Sequence, residues 1–395
     1  MTINDDMRAQ LAAYAARYRQ DLTASVIPFW LDHSLDREHG GYFTCLERDG
    51  AVYDTKKYVW LQGRAIWMFS ELYRTFDPRP AYLDAAKLGV DFLRRYGRDG
   101  QGRFYFSLTR EGQPHFFQRK PFGAVFAMLG LLGYGRASGD QSYVDEAIEL
   151  FWQIVDWIDD PGLLDRPALV GQVASSSLAN QLVLGTMLCE LVQVADEPRY
   201  QAMIQQTIDG IVRHYDRERR IFVENVALDG RDPSVWPEFR LFNPGHSIET
   251  VWILLHLLRL APNAVQQQLA LDALAGSLDR GWDAEYGGLF YFMDTAGKPT
   301  LQIEATMKLW WPHAEAIYTL VLAATLTGDA RWLEWLEKVD AYSYTHFVDP
   351  AYGEWFGYLD RRGDVALTSK GGSYKGFFHV PRALLMSVQC IEGVQ

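Results

Sequence analysis

The sequence has few cysteines and lacks the signatures of several common protein classes. Its 395 residues include only three cysteines, which do not have the spacing of a zinc site, so neither disulfides nor a structural metal are expected. There is no HExxH and no Walker A sequence, so zinc hydrolysis and P-loop nucleotide binding lack support. No apolar run approaches the length of a membrane span, and residues 1–20 form a charged amphipathic stretch rather than a signal peptide. These absences predict a cytoplasmic protein that binds no metal.

Positive charge is also scarce. The chain has 38 Lys and Arg residues against 50 Asp and Glu residues, a formal net charge of -12 at pH 7. Nucleic acids and anionic membranes require a positive field on their protein partner, so neither is expected to bind here. Aromatic residues, in contrast, are abundant, with 13 Trp, 21 Tyr and 21 Phe. They supply a large core and flat surfaces of the kind that sugar rings pack against.

A short motif recurs along the chain. It occurs as DREHGGYF (36–43), DAEYGGLF (283–290) and DPAYGEWF (349–356), with looser relatives at 99–106 and 216–223. Each copy is followed by alternating apolar residues and a second turn, which reads RDGAV, REGQP, LDGRD, TAGKP or RRGDV. This pattern predicts a short β-hairpin after each copy of the motif.

Amphipathic helices are predicted between the hairpins, in twelve segments. Their bounds are 7–34, 58–76, 82–97, 119–138, 141–158, 174–195, 197–215, 245–260, 264–281, 310–327, 330–347 and 376–393. Paired helices that repeat about every 60 residues indicate an open solenoid or a closed toroid. Neither end has the polar capping repeat of an open stack. We therefore predict an all-α fold in which residues 1–395 form one (α/α)6 barrel, with a pocket where the inner helices begin.

The stretch LFNPGHSIETVW (241–252) places a histidine at the start of a predicted helix. The Pro-Gly pair stops the preceding segment, and His246 and Glu249 project from the same side of the new helix. We expect the helix dipole to keep His246 neutral, and Glu249 to fix its tautomer. A plain helix cap beside a solvated glutamate is the alternative interpretation.

Other inner helices are predicted to bring further polar groups to the same axis. The candidates are Arg64, Lys308, Trp310, Trp311, His313, Glu315, Lys375, His379 and Arg382. Histidines, carboxylates, buried cations and aromatic rings together suit proton transfer at a carbon beside a carbonyl. Structural roles stay open for His313, as a residue that closes a helical turn, and for Arg64, as the partner of Glu315 in an ion pair.

Two other functions also stay open at this point. A glycoside hydrolase would use two carboxylates about 5 to 10 Å apart, and Glu249 and Glu315 are the candidates for that pair. Such an enzyme gives no reason for two facing histidines. A binding protein without turnover is the other alternative, although it would not need a cavity lined by histidines, cations and carboxylates.

At these motifs the chain resembles the N-acylglucosamine 2-epimerase family. The likeness runs nearly end to end, through DREHGGYFTCL, DTKKYVWLQGR, NPGHSIE, GWDAEYGGLFYF, MKLWWPHAEA, DPAYGEWFGYL and KGGSYKGFFHVPR. The segments KLWWPH and KGGSYKGFFHVPR are more similar to the N-acylhexosamine branch than to the cellobiose 2-epimerases or mannose isomerases. Those related epimerases and aldose-ketose isomerases are the alternatives within the family. The resemblance implies an (α/α)6 barrel and the interconversion of N-acetylglucosamine and N-acetylmannosamine through the C2 proton of the opened sugar.

The resemblance also implies roles for individual residues. His246 and His379 match the two acid/base histidines, Arg64 an arginine near the carbonyl, and Glu315 a carboxylate that orients the sugar. Further substrate contacts are expected from Glu249, Arg240, Trp310, Lys308 and His313. No catalytic cofactor is implied. ATP is expected only as an allosteric activator, with residues 159–172 as its candidate site, and a homodimer is the expected assembly.

Overall fold

A computed structural model describes residues 3–167, 169–195, 197–230 and 234–393. Helices dominate these ranges, as predicted. They are α1 (Asp5–Asp21), α2 (Ile27–His33), α3 (Val59–Thr75), α4 (Pro80–Tyr96), α5 (Phe122–Ser138), α6 (Gln141–Asp159), α7 (Leu178–Leu191), α8 (Pro198–Arg213), α9 (Pro244–Leu260), α10 (Ala264–Gly281), α11 (Trp310–Thr327), α12 (Arg331–His346) and α13 (His379–Glu392).

The first predicted helix, 7–34, is divided in the structure. A π-helical segment, Leu22–Val26, separates α1 from α2. Pro28 explains the division, because it has no backbone N–H to donate within the helix and its ring crowds the preceding turn. The wider π turn absorbs this defect and lets the chain continue in the same direction. The other predicted helices are confirmed, with ends that shift by a few residues.

The helices form two sets that differ in burial. The six helices α3, α5, α7, α9, α11 and α13 pack against one another in chain order and are the more deeply buried set, whereas the others pack outside them. The sequence of α11 explains its place, since Glu315 is its only acidic or basic residue apart from His313. At the far end of the set, Gln389 Nε2 of α13 donates to Thr75 Oγ1 of α3 at 2.8 Å. None of the helices in the described ranges combines the length and apolar character needed to cross a membrane.

Short strands connect the helices at the end where the six inner helices begin. They are β1 (Cys45–Leu46), β2 (Val52–Asp54), β3 (Lys57–Tyr58), β4 (Ser107–Leu108), β5 (Pro114–Phe116), β6 (Ser175–Ser177), β7 (Tyr215–Asp216), β8 (Ile221–Phe222), β9 (Asn225–Ala227), β10 (Leu241–Phe242), β11 (Met293–Asp294), β12 (Lys308–Leu309), β13 (Tyr358–Leu359) and β14 (Val365–Leu367). The antiparallel pairs β1–β2, β4–β5 and β13–β14 are the predicted hairpins around RDGAV, REGQP and RRGDV.

Two of the predicted hairpins are wrong. The strand before TAGKP, β11, pairs with β10, and the strand before LDGRD, β9, pairs with β6. Residues 231–233, part of which belongs to LDGRD, lie outside the described residues, as does Ala168 in the candidate ATP segment. Both strands pair with segments far away in the chain, which a local alternation of apolar residues cannot reveal.

The aspartate that begins each of the three full motifs has the same structural role. It is buried and pairs with a lysine and an arginine from hairpin regions of the same face. The sets are Asp36 with Lys57 and Arg110, Asp283 with Lys308 and Arg361, and Asp349 with Lys370 and Arg48. In the third set, Arg48 Nε lies 2.7 Å from Asp349 Oδ2. The last motif is therefore joined to the first hairpin by an ion pair.

Candidate active site

A single cavity of about 480 Å³ opens where the six buried helices begin. Each helix contributes a residue from its first turn to the lining: Trp60, Phe122, Ala179, His246, Trp310 and His379. The lining also includes the titratable side chains of Arg64, Glu249 and Arg382. The predicted position of the pocket is thus confirmed.

His246 is held at the start of α9 by two contacts. Its backbone N–H donates to the side chain of Asn243, the N-cap residue, at 3.0 Å. Its Nδ1 lies 2.9 Å from Oε1 of Glu224, which follows β8. The carboxylate accepts the Nδ1–H bond and so leaves Nε2 as the free nitrogen of the neutral ring.

The electrostatic environment of His246 differs from the one predicted. Burial alone lowers the pKa of His246, but the negative charges of Glu224, Glu249 and Glu315 outweigh it and raise the pKa above its ordinary value. The expected depression by the helix dipole is therefore wrong. Glu249 does not fix the tautomer either, because Glu224 makes that contact.

The pKa of His379, the first residue of α13, is shifted in the opposite direction. Its Nδ1 lies 2.7 Å from Glu315 Oε1, so this ring too is held by a carboxylate through Nδ1. Burial and the positive charges of Arg64 and Arg382 lower the pKa of His379 well below its ordinary value. The two histidines of the cavity thus differ in their affinity for a proton.

Glu315 is at the centre of a buried network and is only 1% exposed. Its Oε1 accepts from Arg382 Nη2 at 2.5 Å, and its Oε2 accepts from Trp252 Nε1 at 2.8 Å. Arg382 Nη2 also lies 3.1 Å from Glu249 Oε1. Arg382, rather than Arg64, is therefore the partner of Glu315, and the predicted Arg64–Glu315 pair is wrong.

Arg64 is a cation without a hydrogen-bonding partner among the described residues. Its Nε is buried and unpaired, and none of its guanidinium atoms bonds to a residue in the described part of the chain. The guanidinium instead stacks near aromatic rings, 4.0 Å from the centre of Phe126, 4.7 Å from Trp60 and 5.0 Å from Phe378. Burial and the neighbouring Arg382 lower the pKa of Arg64 to about 9, which leaves the group positive at neutral pH. Its free donors line the cavity.

Trp310 and Trp311 both line the cavity. Trp311 has the closer relationship to the histidines, with its ring centre 4.9 Å from His246 and 5.7 Å from His379. Gly245 permits this arrangement, because a Cβ at that position would lie 2.7 Å from the indole atoms Cη2 and Cζ3. Both imidazoles therefore pack against the same rigid ring.

Three predicted substrate contacts do not line the cavity. Lys308 Nζ is paired with Asp283 at 3.0 Å, beneath the hairpins, and Arg240 is paired with Asp294 at 3.0 Å. His313 accepts the Leu289 N–H through Nε2 at 2.9 Å and donates from Nδ1 to the Leu309 carbonyl at 2.7 Å. Burial lowers the pKa of His313 to about 3. Both of its nitrogens are satisfied, so its role is structural.

The group formed by Glu249, Glu315 and His379 has the residue types of a metal site, with ligand atoms within 4.8 Å of one another. Arg382 already lies between the two carboxylates. A divalent ion in the same place would lie against a guanidinium, so the residues do not fit a resident metal.

A family model described as N-acylglucosamine 2-epimerase (GlcNAc 2-epimerase) matches residues 41–383. The chain belongs to this family. A Mus musculus N-acylglucosamine 2-epimerase is 41% identical over 97% of the chain and 93% of its own length. A Bacteroides fragilis cellobiose 2-epimerase is 24% identical over 95% of the chain and 97% of its own length. The structure of cellobiose 2-epimerase from Bacillus thermoamylovorans has a TM-score of 0.82 at 21% identity and covers 96% of the chain and 99% of that chain, which shows a shared fold.

Sequence reasoning missed one residue of this epimerase-family site and gave too small a role to another. Glu224 directly follows the looser copy of the motif at 216–223, and its 22-residue separation from His246 leaves no helical or strand periodicity to relate them. Arg382 is one turn beyond His379, and that spacing places both on one helix face. The sequence therefore did contain a signal that Arg382, a second cation on the helix face of His379, is the partner of Glu315.

Proposed function

We propose that this chain is a sugar epimerase that interconverts N-acetylglucosamine and N-acetylmannosamine. The observation that carries the proposal is the pair of histidines, each held through Nδ1 by a carboxylate and both lining one cavity. Inversion at a carbon needs a base on one face and an acid on the other, and imidazole serves both roles near neutral pH. The reaction removes the C2 proton of the opened sugar and returns a proton on the opposite face.

The opposite pKa shifts of His246 and His379 assign the roles of acid and base to the two histidines. His379, whose pKa is lowered, is the neutral base that accepts the C2 proton from one epimer. His246, whose pKa is raised, is the protonated acid that donates to the other face. After this half of the cycle the protonation states are reversed, and the same two groups act in the opposite order on the other epimer.

Arg64 supplies the electrophilic assistance. Removal of the C2 proton places negative charge on the aldehyde oxygen, and a preorganised donor aimed at that oxygen lowers the barrier. Arg64 suits this role because its donors are free, whereas Arg382 is committed to Glu249 and Glu315. Glu315 in turn orients His379. This mechanism uses only the chain's own side chains, so we expect a chelator to leave the activity intact.

The proposal also includes the architecture of the chain. We infer that residues 1–395 form one domain and that the six buried helices close into an (α/α)6 barrel. The contact of Gln389 with Thr75 and the ion pair of Arg48 with Asp349 support closure, since each links an early part of the chain to a late one.

A glycoside hydrolase fits the site less well. Its two carboxylates must act separately, one as general acid and the other as base or nucleophile. Here Glu249 and Glu315 both bond the guanidinium of Arg382, and Glu315 also holds His379. Release of a reducing sugar from a disaccharide would support hydrolysis. A protein inert toward every free sugar would support a binding role.

The test is direct. We expect the purified protein to convert N-acetylmannosamine to N-acetylglucosamine, measured by proton NMR, with much lower kcat/KM on cellobiose and mannose. Faster epimerisation of cellobiose, or isomerisation of mannose to a ketose, would assign the chain to another branch of the family. ATP activation, a homodimer and a cytoplasmic location stay predictions.

A further inference from the structure

The cavity is deeper on one side than on the other. On α3, α11 and α13 its lining stays within the first two turns, where charged and aromatic side chains fill the space. On α5, α7 and α9 the lining continues inward to Leu129, Thr186 and Ile253. Ile253 lies seven residues beyond His246 on α9, a distance of about 10 Å along the helix axis.

The deeper side is apolar, and we call it the deep pocket. It is lined by Val125, Leu129, Leu182, Val183, Thr186 and Ile253. The contribution of α7 comes from one helix face, since its lining residues are three or four positions apart. The only hydroxyl in the set, that of Thr186, already donates to the Leu182 carbonyl at 2.9 Å. The deep pocket therefore offers no free side-chain hydrogen-bond donor to a ligand.

The four substituents of C2, the reacting carbon, require different surroundings in the cavity. Carbon C2 of an opened N-acylhexosamine carries a hydrogen, the aldehyde carbon, a chain with four hydroxyls, and the acylamino group. The hydrogen faces the histidines, and the aldehyde oxygen faces Arg64. Burying hydroxyls without partners is unfavourable, so the hydroxylated chain belongs at the cavity mouth, among Tyr291, Gln302, Glu304 and Tyr358. The alkyl end of the acyl group is the one part that matches an apolar pocket.

We propose that the deep pocket binds the alkyl end of the N-acyl group and accepts acyl chains longer than acetyl. This inference rests on the proposed epimerase function. The carbons on either side of a trans amide are about 3.8 Å apart, as successive Cα atoms are, so an acetyl methyl stays well short of Ile253, which is about 10 Å beyond His246 along α9. A longer acyl chain would extend toward Ile253.

The first test compares N-acetyl-, N-propanoyl- and N-butanoylmannosamine as substrates of the unaltered protein. We expect kcat/KM to stay level or to rise, by up to about fourfold for each added methylene, because each one moves from water into an apolar site. A lower kcat/KM for both longer substrates than for N-acetylmannosamine would overturn the inference while leaving the epimerase function intact. Absence of turnover on all three would overturn the proposed function itself.

The second test fills the deep pocket. Leu182→Phe adds bulk inside it, and we expect the ratio of kcat/KM for the butanoyl substrate to that for the acetyl substrate to fall about tenfold or more. Leu184→Phe is the matched control, because Leu184 lies on the same helix but does not line the cavity, and it should leave the ratio unchanged. An unchanged ratio in Leu182→Phe would contradict the proposal. If that variant fails to fold, Ile253→Phe at the floor serves the same purpose.

Discussion

Oε1 of Glu224 lies 2.9 Å from Nδ1 of His246, and this contact sets the charge state of the histidine. Burial lowers the pKa of His246, but Glu224 together with Glu249 and Glu315 outweighs burial and raises the pKa. A raised pKa makes His246 the proton donor of the pair. Glu224 thus acts on the reaction through another residue.

Replacing Glu224 with Gln should lower the pKa of His246, because the hydrogen bond can persist but the negative charge is lost. The protonated form then disappears at a lower pH. We expect the alkaline limb of the pH–rate profile, in the direction in which His246 donates, to move to lower pH, with a loss of about 10- to 100-fold at neutral pH.

The control for this prediction is Glu218→Gln. Glu218 lies in the turn between β7 and β8, and its side chain is 87% exposed, so the variant removes the same charge without touching His246. A profile of Glu224→Gln that keeps the position of its alkaline limb would show that the glutamate is merely structural.

The sequence was sufficient to predict what depends on local pattern. Helical periodicity located α3 to α13, and the Pro-Gly break placed His246 at a helix start. The roles of Lys308 and His313 could not be obtained in this way, because a residue near the start of an inner helix can point either into the cavity or beneath the hairpins. The partners that hold both residues, Asp283 and the Leu289 N–H, lie about 25 positions earlier in the chain.

The charge states of the site were also beyond sequence reasoning. The prediction for His246 used the helix dipole alone, whose effect is usually below about 1 kcal/mol near a helix end. Three carboxylates from separate elements act on the same ring, and their sum exceeds the dipole. Such sums depend on distances between distant segments, which only the folded chain supplies.

Replacing Arg64 and Arg382 with Met should have opposite consequences for stability. The Nε atom of Arg64 is buried without a hydrogen-bonding partner among the described residues, so we expect Arg64→Met to change the free energy of unfolding by less than about 1 kcal/mol or to increase it. Its kcat should fall by about 100-fold or more through loss of charge stabilisation. Arg382→Met removes the cation that bridges Glu249 and Glu315 and should cost about 3 to 5 kcal/mol. Urea unfolding and steady-state kinetics measure both. Equal destabilisation by the two changes would contradict this division of roles.

The three buried aspartates should make the fold sensitive to acid. Ion pairs and hydrogen bonds lower the pKa of Asp36 and of Asp283 to about 2, although burial opposes the shift. A carboxylate whose folded pKa lies below its unfolded value of about 3.9 stabilises the fold above that value, and the contribution is lost as pH falls toward the folded pKa. We expect the free energy of unfolding to fall by roughly 2 kcal/mol for each such group between about pH 4 and pH 2. Urea titrations of the unaltered protein and of Asp283→Asn check this, since the variant should have a shallower slope. The same slope in both would show that Asp283 is not responsible.

The last prediction separates the two histidines. If His246 and His379 serve opposite faces of C2, replacing either with Asn should reduce net epimerisation by about 100- to 10,000-fold, because each change removes one proton carrier and little packing. The remaining histidine still reaches one face. Each variant should therefore exchange the C2 proton of one epimer with deuterated water, slowly and without inversion, and fail to exchange that of the other. Proton NMR of both sugars with each variant reads this directly, and His115→Asn, in the exposed β4–β5 hairpin, is the control. The unaltered protein should place deuterium at C2 of its product, since both histidines exchange with solvent. Substantial inversion by a folded His379→Asn variant would remove that residue from catalysis and with it the two-base mechanism.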